Sequence, residues 1–352
     1  MRSGSRDPRC RARRIALNYR ARMLLLLLAC AEVEPEDSAI EWSYPLDDVL
    51  RVNHLQAVGT HNSYHMRTPG VTADPWDYEH APLDEQLGAE GVRQFELDIW
   101  YNADLGEFDV YHIPLVDDTS SCTSLSECLA VMRGWSDENP AHHPFLTLLE
   151  VKDDFDEATV MPLLAAIDAQ VQAAWPDERR LSPDDVQRGY DSVAEGLTAE
   201  GWPTLGESRG KAMFVLHTGD DFRQAYTDGD RTTEGRAVFP DAHGNLALSV
   251  GAVSSINDPK ADIDTITAAL AAGHLVRTRS DSDGTEARAN DTSGREAALA
   301  SGAHFVSTDF PVPYPDTGYV VEMPGGTPSR CNPVIAPVEC TSLAIEDPAF
   351  VR

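Results

Sequence analysis

Short runs rich in β-branched and aromatic residues recur along this chain, and several are separated by stretches with helical periodicity. The helix-like stretches include LDEQLGAEG at 83–91, VMPLLAAIDAQVQAAW at 160–175 and IDTITAALAAG at 263–273. Alternation of strands and helices favours a parallel sheet that is buried on both faces. The predicted strands cover residues 54–59, 92–100, 108–113, 145–151, 211–217, 246–253, 274–278 and 304–308.

Eight such strands fit a (β/α)8 TIM barrel better than they fit an open sheet. The predicted fold class is therefore α/β, a distorted TIM barrel that forms a single domain over residues 49–322. Two segments fit less well, because 101–107 is too short to hold a helix and 176–210 is long and irregular. An open, doubly wound sheet remains the alternative.

The first 29 residues have the composition of an export signal. Eight arginines precede the apolar run MLLLLLAC at 23–30, which is too short to cross a bilayer as a helix. LLAC approximates a lipoprotein cleavage box with Cys30 as the lipid acceptor, although Leu28 is bulkier than such a box prefers. We therefore predict an exported protein, either secreted or lipid-anchored at the bacterial cell envelope, with an acidic linker at 30–48.

The remaining four cysteines form two local pairs, Cys122 with Cys128 and Cys331 with Cys340. Their spacing does not match a zinc site. Two disulfides are the favoured interpretation and imply an oxidising compartment, whereas four buried thiols are the alternative. Residues 323–352 are then predicted to be a disulfide-containing tail that packs on the barrel.

The charge is strongly acidic, with 58 Asp and Glu against 28 Lys and Arg and a formal net charge of −30. Such a surface repels nucleic acid and anionic lipid headgroups at long range, and it attracts divalent cations. A nucleic-acid partner is therefore not expected. Because a solvated surface explains most of these acids, only acids that converge at particular positions point to function.

Polar residues that bind metals or move protons follow the first four predicted strands: His61, Asn62, Glu96, Asp98, His112, Glu150 and Lys152. The carboxyl ends of barrel strands meet at one mouth. Glu96 and Asp98 are two residues apart on a strand, so they face the same side, roughly 6 to 7 Å apart. If Glu150 joins them, three carboxylates repel one another unless a cation holds them. With the Asn62 carbonyl, this all-oxygen set suits calcium better than zinc, and calcium tolerates irregular geometry.

Four segments carry a family resemblance: GTHNSY at 59–64, RQFELDIW at 93–100, DVYHIP at 109–114 and LTLLEVK at 146–152. In this order they resemble the catalytic X-region of bacterial calcium-dependent phosphoinositide-specific phospholipase C, within the superfamily of phospholipase-C-like phosphodiesterases. The resemblance covers roughly residues 50–340 and extends to HLVRTRSD, AHFVSTDFP and RCNPVIAPVEC. It implies a phosphoric diester hydrolase with the fold of a distorted TIM barrel.

The resemblance also implies roles for individual residues. Attack by the inositol 2-hydroxyl on the phosphate would release diacylglycerol and an inositol phosphate, which is cyclic at first. His112 would be the acid toward the diacylglycerol oxygen, His61 would stabilise the charged phosphorus, and Glu96 or Glu150 would be the base. The implied calcium ligands are Asn62, Glu96, Asp98 and Glu150.

Four residues are candidates for contacts with the substrate phosphate or headgroup: Lys152, His217, Arg277 and Arg279. Pairing with nearby acids is an equal alternative for the two arginines, and a structural role is the alternative for His217. The expected partner is a phospholipid or inositol phosphodiester at a membrane surface, bound by a monomer.

Two other functions stay open. A glycerophosphodiester phosphodiesterase would use the same barrel, but that family usually has Arg-Gly where this chain has Asn62 and Ser63. A catalytically silent surface lipoprotein that binds calcium and headgroups is the third hypothesis, and it would not need two histidines.

Overall fold

The structure is a computed structural model that describes residues 44–70, 73–325 and 328–347. Its strands are β1 (Leu55–Thr60), β2 (Gln94–Asn102), β3 (Glu107–Val110), β4 (Phe145–Val151), β5 (Arg180–Leu181), β6 (Ala212–His217), β7 (Phe239–Pro240), β8 (Val253–Ser255), β9 (Leu275–Arg279), β10 (Phe305–Thr308) and β11 (Ser329–Cys331). Its α-helices are α1 (Leu83–Gly88), α2 (Leu125–Glu138), α3 (Val160–Ala174), α4 (Pro183–Gln187), α5 (Val193–Glu200), α6 (Leu205–Ser208), α7 (Asp220–Tyr226), α8 (Ile263–Ala271), α9 (Thr285–Ala289), α10 (Ser293–Ala300) and α11 (Ser342–Ile345). Short 3-10 helices cover Val52–His54, Asp74–Trp76 and Asp177–Arg179.

Eight parallel strands form the wall of a barrel. Hydrogen bonds connect β6, β4, β2, β1, β10, β9 and β8 in that order, and β7 pairs with β6 on the other side. A single parallel bridge between Asp241 and Val253 then joins the end of β7 to β8. The predicted distorted TIM barrel is confirmed, and the open-sheet alternative is wrong. All described residues belong to one compact unit.

Two of the predicted barrel strands are wrong. The run at 108–113 forms β3, which pairs antiparallel with β2 as a hairpin, because the connection is too short for the crossover that parallel pairing requires. In the run at 246–253 only Val253 belongs to a strand, and Leu248 and Val250 pack in a loop against Ala242. The eighth barrel strand is β7, whose two residues include a proline and show no strand periodicity.

Side chains alternate between two apolar layers along the barrel strands, as strand geometry requires. On β2, Phe95, Leu97 and Ile99 point outward and pack beneath the helices. On β4, Leu146 and Leu148 point inward and fill the barrel together with inward residues of β6. Continuing the inward alternation by two residues places Glu150 at the top of the same interior column.

The described part of the C-terminal segment is attached to the barrel. β11 pairs antiparallel with β1, with Leu55 opposite Cys331. Glu346 is buried and accepts a hydrogen bond of 3.0 Å from Nε of Arg93, which is also fully buried. Cys331 bonds to Cys340 and Cys122 bonds to Cys128, so the two predicted disulfides are confirmed.

The last residues of the predicted linker contact the barrel. Tyr44 lies under the guanidinium of Arg209, which also forms an ion pair with Asp47 at 2.6 Å. The predicted signal peptide and Cys30 lie outside the described residues. Among the residues that are described, the helices lack the length and apolarity needed to cross a bilayer.

Removing the Glu346 carboxylate is expected to destabilise the fold. Glu346→Ala leaves the buried charge of Arg93 without its partner, and we expect the free energy of unfolding to fall by about 3 to 5 kcal/mol. Urea unfolding followed by far-UV circular dichroism measures this loss.

The matched control is Asp77→Ala. It breaks an exposed pair with Arg67, whose side chains are 48% and 47% exposed, and it should cost less than about 1 kcal/mol. If the two variants lose equal stability, the C-terminal segment is not an integral part of the fold.

Candidate active site

The strand register places three ionisable residues side by side at the barrel mouth. Asp98 is opposite Glu150 in the pairing of β2 with β4, and Glu150 is opposite His217 in the pairing of β4 with β6. Ligand atoms of Glu96, Glu150 and His217 all lie within 4.8 Å of one another. The structure therefore brings the predicted carboxylates together.

Asp98 lacks full compensation for its buried charge. The Lys152 ammonium lies 3.2 Å from Asp98 Oδ2 and 3.0 Å from Glu150 Oε1, and the Tyr64 hydroxyl interacts with Asp98, but among the described residues neither Asp98 oxygen has a hydrogen bond of good geometry. Burial, followed by the charge of Glu150, raises the pKa of Asp98 well above its usual value. A cation at this position would remove the conflict.

The charges around Glu150 have the opposite effect. Burial opposes its ionisation, but the positive charges of His217 and Lys152 outweigh burial and lower the pKa of Glu150. Its side chain is 30% exposed, so it is more accessible than Asp98. Glu150 is therefore an ionised carboxylate that can reach a bound molecule.

Arg277 points into the barrel instead of toward solvent. Its guanidinium pairs with Glu96 and donates hydrogen bonds to Asn257 Oδ1 at 2.5 Å and to Ser307 Oγ at 3.1 Å. These contacts agree with the alternative that Arg277 pairs with an acidic residue of the protein instead of binding substrate. A contact of Arg277 with substrate stays a prediction.

Asn62 adopts the left-handed backbone conformation that asparagine tolerates, with φ of 44°. Its buried side chain contacts Tyr78. The next residue, Ser63, donates its N–H to the Glu96 carbonyl at 2.9 Å and accepts the Glu96 N–H on Oγ at 2.8 Å. The turn after β1 is thereby fixed beside β2.

Each predicted catalytic histidine is held by an aspartate. His61 Nδ1 lies 2.8 Å from Asp309 Oδ1, and His112 Nδ1 lies 2.9 Å from Asp117 Oδ2. The two imidazole side chains are 20% and 22% exposed. A carboxylate at Nδ1 fixes the tautomer and leaves Nε2 for a bound molecule.

The two aspartates differ in their surroundings. Burial raises the pKa of Asp309 to about 6, although Arg279 opposes the shift. Asp117 is also contacted by Nε2 of a second histidine, His65, at 3.0 Å, and hydrogen bonds from His112 and His65 overcome burial and lower its pKa. Sequence reasoning missed both aspartates. Asp309 directly follows β10, so a search for polar residues at the ends of all the predicted strands could have found it.

The remaining substrate-binding candidates lie at the same mouth. His217 Nδ1 lies 2.7 Å from Asp241 Oδ2, and burial is outweighed by that carboxylate, so the pKa of His217 rises to about 9. Arg279 lies 3.3 Å from His61 Nδ1 and 3.7 Å from Asp309 Oδ2. It also lines a polar cavity of about 390 Å³ together with Lys260. Their substrate contacts stay predictions.

Comparison with known proteins identifies relatives of the same fold. A family model described as "Phosphoinositide phospholipase C, Ca2+-dependent" matches residues 50–109 and 105–333. The calcium-dependent phosphoinositol-specific phospholipase C of a Gram-negative Pseudomonas species is 19% identical and superposes with a TM-score of 0.59, covering 82% of this chain and 98% of that one. The Ca2+-dependent phosphatidylinositol-specific enzyme of Streptomyces antibioticus is 20% identical, with a TM-score of 0.55 over 74% of this chain and 95% of that one. No protein of curated function matches the chain significantly by sequence.

The family match covers most of the chain, and the two solved structures share the barrel fold. The predicted family and its enzyme class, phosphoric diester hydrolase, are confirmed, and the calcium prediction agrees with the family's description. The alternative of a glycerophosphodiester phosphodiesterase receives no support. This chain belongs to the calcium-dependent phosphoinositide phospholipase C family.

Proposed function

We propose that the protein is a calcium-dependent phospholipase C that cleaves phosphatidylinositol-type phospholipids into diacylglycerol and an inositol phosphate, which is cyclic at first. One observation carries this proposal: His61 and His112, each held by an aspartate, are close enough for their charges to interact, and His61 also interacts with Glu96, one of three convergent carboxylates. A protein that only binds calcium would not need the two imidazoles.

The residues at the mouth fit a calcium ion. Asn62, Glu96, Asp98 and Glu150 would supply oxygen ligands, and among the described residues Lys152 and Tyr64 contact the buried Asp98 carboxylate without hydrogen bonds of good geometry. Oxygen ligands are those that calcium prefers. When bound, calcium would lower the pKa of the attacking inositol hydroxyl and balance charge on the phosphate.

His112 is suited to proton transfer at the leaving group. Because Asp117 occupies Nδ1, Nε2 can carry a proton to the diacylglycerol oxygen as the phosphorus–oxygen bond breaks. The neutral ring that results can then accept a proton from water, and this water hydrolyses the cyclic phosphate. His61 is held by Asp309 at Nδ1 in the same way, and burial followed by the charge of Arg279 lowers its pKa, so Nε2 would donate to a phosphate oxygen only in the ring that the negative charge of the bound phosphate has protonated.

Glu150 is the better candidate for the general base. The Glu96 carboxylate is buried and already bound by the Arg277 guanidinium, so it is less accessible to the inositol hydroxyl than Glu150 is. Glu150 is partly exposed and has a lowered pKa, so it is ionised at neutral pH and can take the proton of the inositol 2-hydroxyl.

The loop between His112 and Asp117 also presents apolar side chains for contact with a lipid surface. Leu115 is 94% exposed and has a φ of 65°, a conformation that disfavours leucine, and Val116 is 43% exposed. Hydrogen bonds between Ile113 and Asp117 in both directions close this turn. Because the net charge of −30 opposes docking on an anionic membrane, apolar insertion is the favoured contact.

Export to the cell envelope, as a secreted or lipid-anchored monomer, remains part of this proposal. The two disulfides support it, because disulfides persist in oxidising compartments.

Headgroup release from phosphatidylinositol vesicles tests the catalytic roles. We expect activity to disappear in a calcium chelator. His112→Ala should lower kcat by about 100-fold to 10,000-fold, because proton transfer to the leaving group is lost. Calcium affinity, measured by isothermal titration calorimetry, should stay nearly unchanged in this variant. Activity that survives both the chelator and the His112→Ala substitution would contradict the proposed mechanism.

Asp98→Asn is expected to change stability in opposite directions without and with calcium. Because burial raises the pKa of Asp98 above its unfolded value, the folded state loses stability as the pH rises above the unfolded pKa, so in calcium-free protein at pH 7 the variant should be more stable than wild type. With calcium at 100 times its dissociation constant, wild-type protein gains about 2.7 kcal/mol, and the variant should not.

Thermal unfolding with and without calcium measures both effects of this substitution. Asp104→Asn, at an exposed acid on the β2–β3 turn that is outside the predicted ligand set, is the control and should respond to calcium as wild type does. A calcium-induced rise in Tm that is equal in Asp98→Asn and wild type would remove Asp98 from the ligand set.

Leu115→Ser should weaken vesicle binding without impairing the catalytic residues. Burial of a leucine side chain in lipid is worth about 1.5 to 3 kcal/mol, so we expect roughly a tenfold or greater loss of affinity for phosphatidylinositol vesicles. Hydrolysis of a soluble inositol phosphodiester should be unaffected. Leu105→Ser, at a second exposed leucine on the β2–β3 turn, provides the comparison. Parallel loss of activity on both substrates would instead indicate a disturbed His112 loop.

A further inference from the structure

We propose that His217, Asp241 and His243 form a binding site for a transition-metal ion of the zinc class, at the seam where the barrel closes. This site is separate from the predicted calcium ligands, and the inference does not rest on the proposed function. The three residues come from the end of β6 and from the turn that follows β7.

The three side chains present a compact set of ligand atoms, all within 4.8 Å of one another. Asp241 Oδ2 lies 2.7 Å from His217 Nδ1 and 3.6 Å from His243 Nδ1. The imidazole centroids of the two histidines are 5.2 Å apart. Ligands at about 2.0 to 2.1 Å from a tetrahedral zinc ion lie roughly 3.3 Å from each other, so the cluster is close to the required size.

The contacts of His243 leave one ring nitrogen free for an ion. Nε2 donates its hydrogen to the carbonyl oxygen of Thr218 at 2.9 Å, so in the neutral ring Nδ1 carries a lone pair. That lone pair and Asp241 Oδ2 are two acceptors that face each other at a distance too long for a hydrogen bond. Metal-binding histidines are typically oriented by donation of the other ring N–H to a carbonyl or carboxylate.

Hydrogen bonds also orient Asp241 toward the proposed ion. Its Oδ1 accepts the backbone N–H groups of Ser255 and His243, both at 2.9 Å, and this leaves Oδ2 directed at the two imidazoles. Metal binding would replace the proton on His217 Nδ1, which would pass to solvent, and would widen the 2.7 Å contact by roughly 0.6 Å. The carboxylate is fully buried, whereas the His243 side chain is 37% exposed and gives an ion access.

The chemistry of the ligands separates this site from the carboxylates. Two imidazole nitrogens and one carboxylate oxygen suit zinc, cobalt or nickel, with water at the remaining position, whereas calcium prefers oxygen alone. His217 is shared, since its ring also lies within 4.8 Å of Glu96 and Glu150. The two sites can therefore influence each other through one imidazole.

An ion at this position would strengthen the weakest part of the barrel wall. β7 has two residues, and one bridge between Asp241 and Val253 joins it to β8. An ion held by His217 and Asp241 would connect β6 to the end of β7 independently of backbone pairing. Metal binding to the native state alone raises stability by mass action.

Cobalt and zinc titrations of the full-length protein test the site, with saturating calcium present to occupy the carboxylates. We expect one Co²⁺ per chain with visible d–d absorption, displacement of cobalt by Zn²⁺, and a higher Tm with either metal. His243→Asn removes one ligand, and asparagine tolerates the left-handed backbone there, with φ of 47°. This variant should lose about 100-fold or more in affinity and show no metal-dependent rise in Tm.

His54→Gln, at a half-buried histidine away from the cluster, is the control and should bind as wild type does. The metal-free Tm of each variant reports whether it folds. Three results would overturn the proposal: no stoichiometric cobalt binding in wild type, equal binding by His243→Asn, or strict competition between calcium and zinc. The last result would place the ion among the carboxylates instead.

Discussion

Negative charge held inside the barrel mouth is the constraint on which this site depends. The register of β2, β4 and β6 forces Asp98, Glu150 and His217 to the same level of three neighbouring strands, and the carboxylates cannot move apart without breaking the sheet. Positive groups neutralise part of this charge: Lys152 contacts Asp98 and Glu150, and Arg277 contacts Glu96. In the proposed function, the uncompensated part, concentrated at Asp98, would favour the binding of a divalent cation.

The candidate site residues lie partly on strands of the barrel and partly on a loop. Carboxylates stand on strands, where hydrogen bonding on both sides fixes their separation. His61 and Asp309 follow neighbouring strands β1 and β10, so this pair is also positioned by the sheet. His112 and Asp117 instead lie in the loop that carries exposed Leu115. In the proposed function, contact with lipid and protonation of the leaving group would therefore depend on the same loop.

Much of the fold and part of the site could be predicted because their signals are local. Apolar strand runs such as 145–151 predict buried strands, and the polar residues that end them predict a mouth where Glu96, Asp98 and Glu150 meet. β7 could not be predicted, because two residues carry no periodicity and their pairing depends on Asp241 and Val253 closing the ring. The pairing of His61 with Asp309 was missed for a similar reason, since 248 residues separate them. Asp117 is only five residues from His112, but their contact depends on the turn between Ile113 and Asp117.

The sequence by itself determined the alternation of strands and helices, the cysteine pairs and the residue types at the strand ends, because each depends on neighbours within about ten positions. Only the tertiary structure decided which strand lies beside which, and hence that Arg277 neutralises Glu96, that Asp117 serves two histidines, and that His243 faces Asp241. Coulomb energy and hydrogen bonding depend on distances in space. Pairs brought together by barrel closure leave no pattern along the chain.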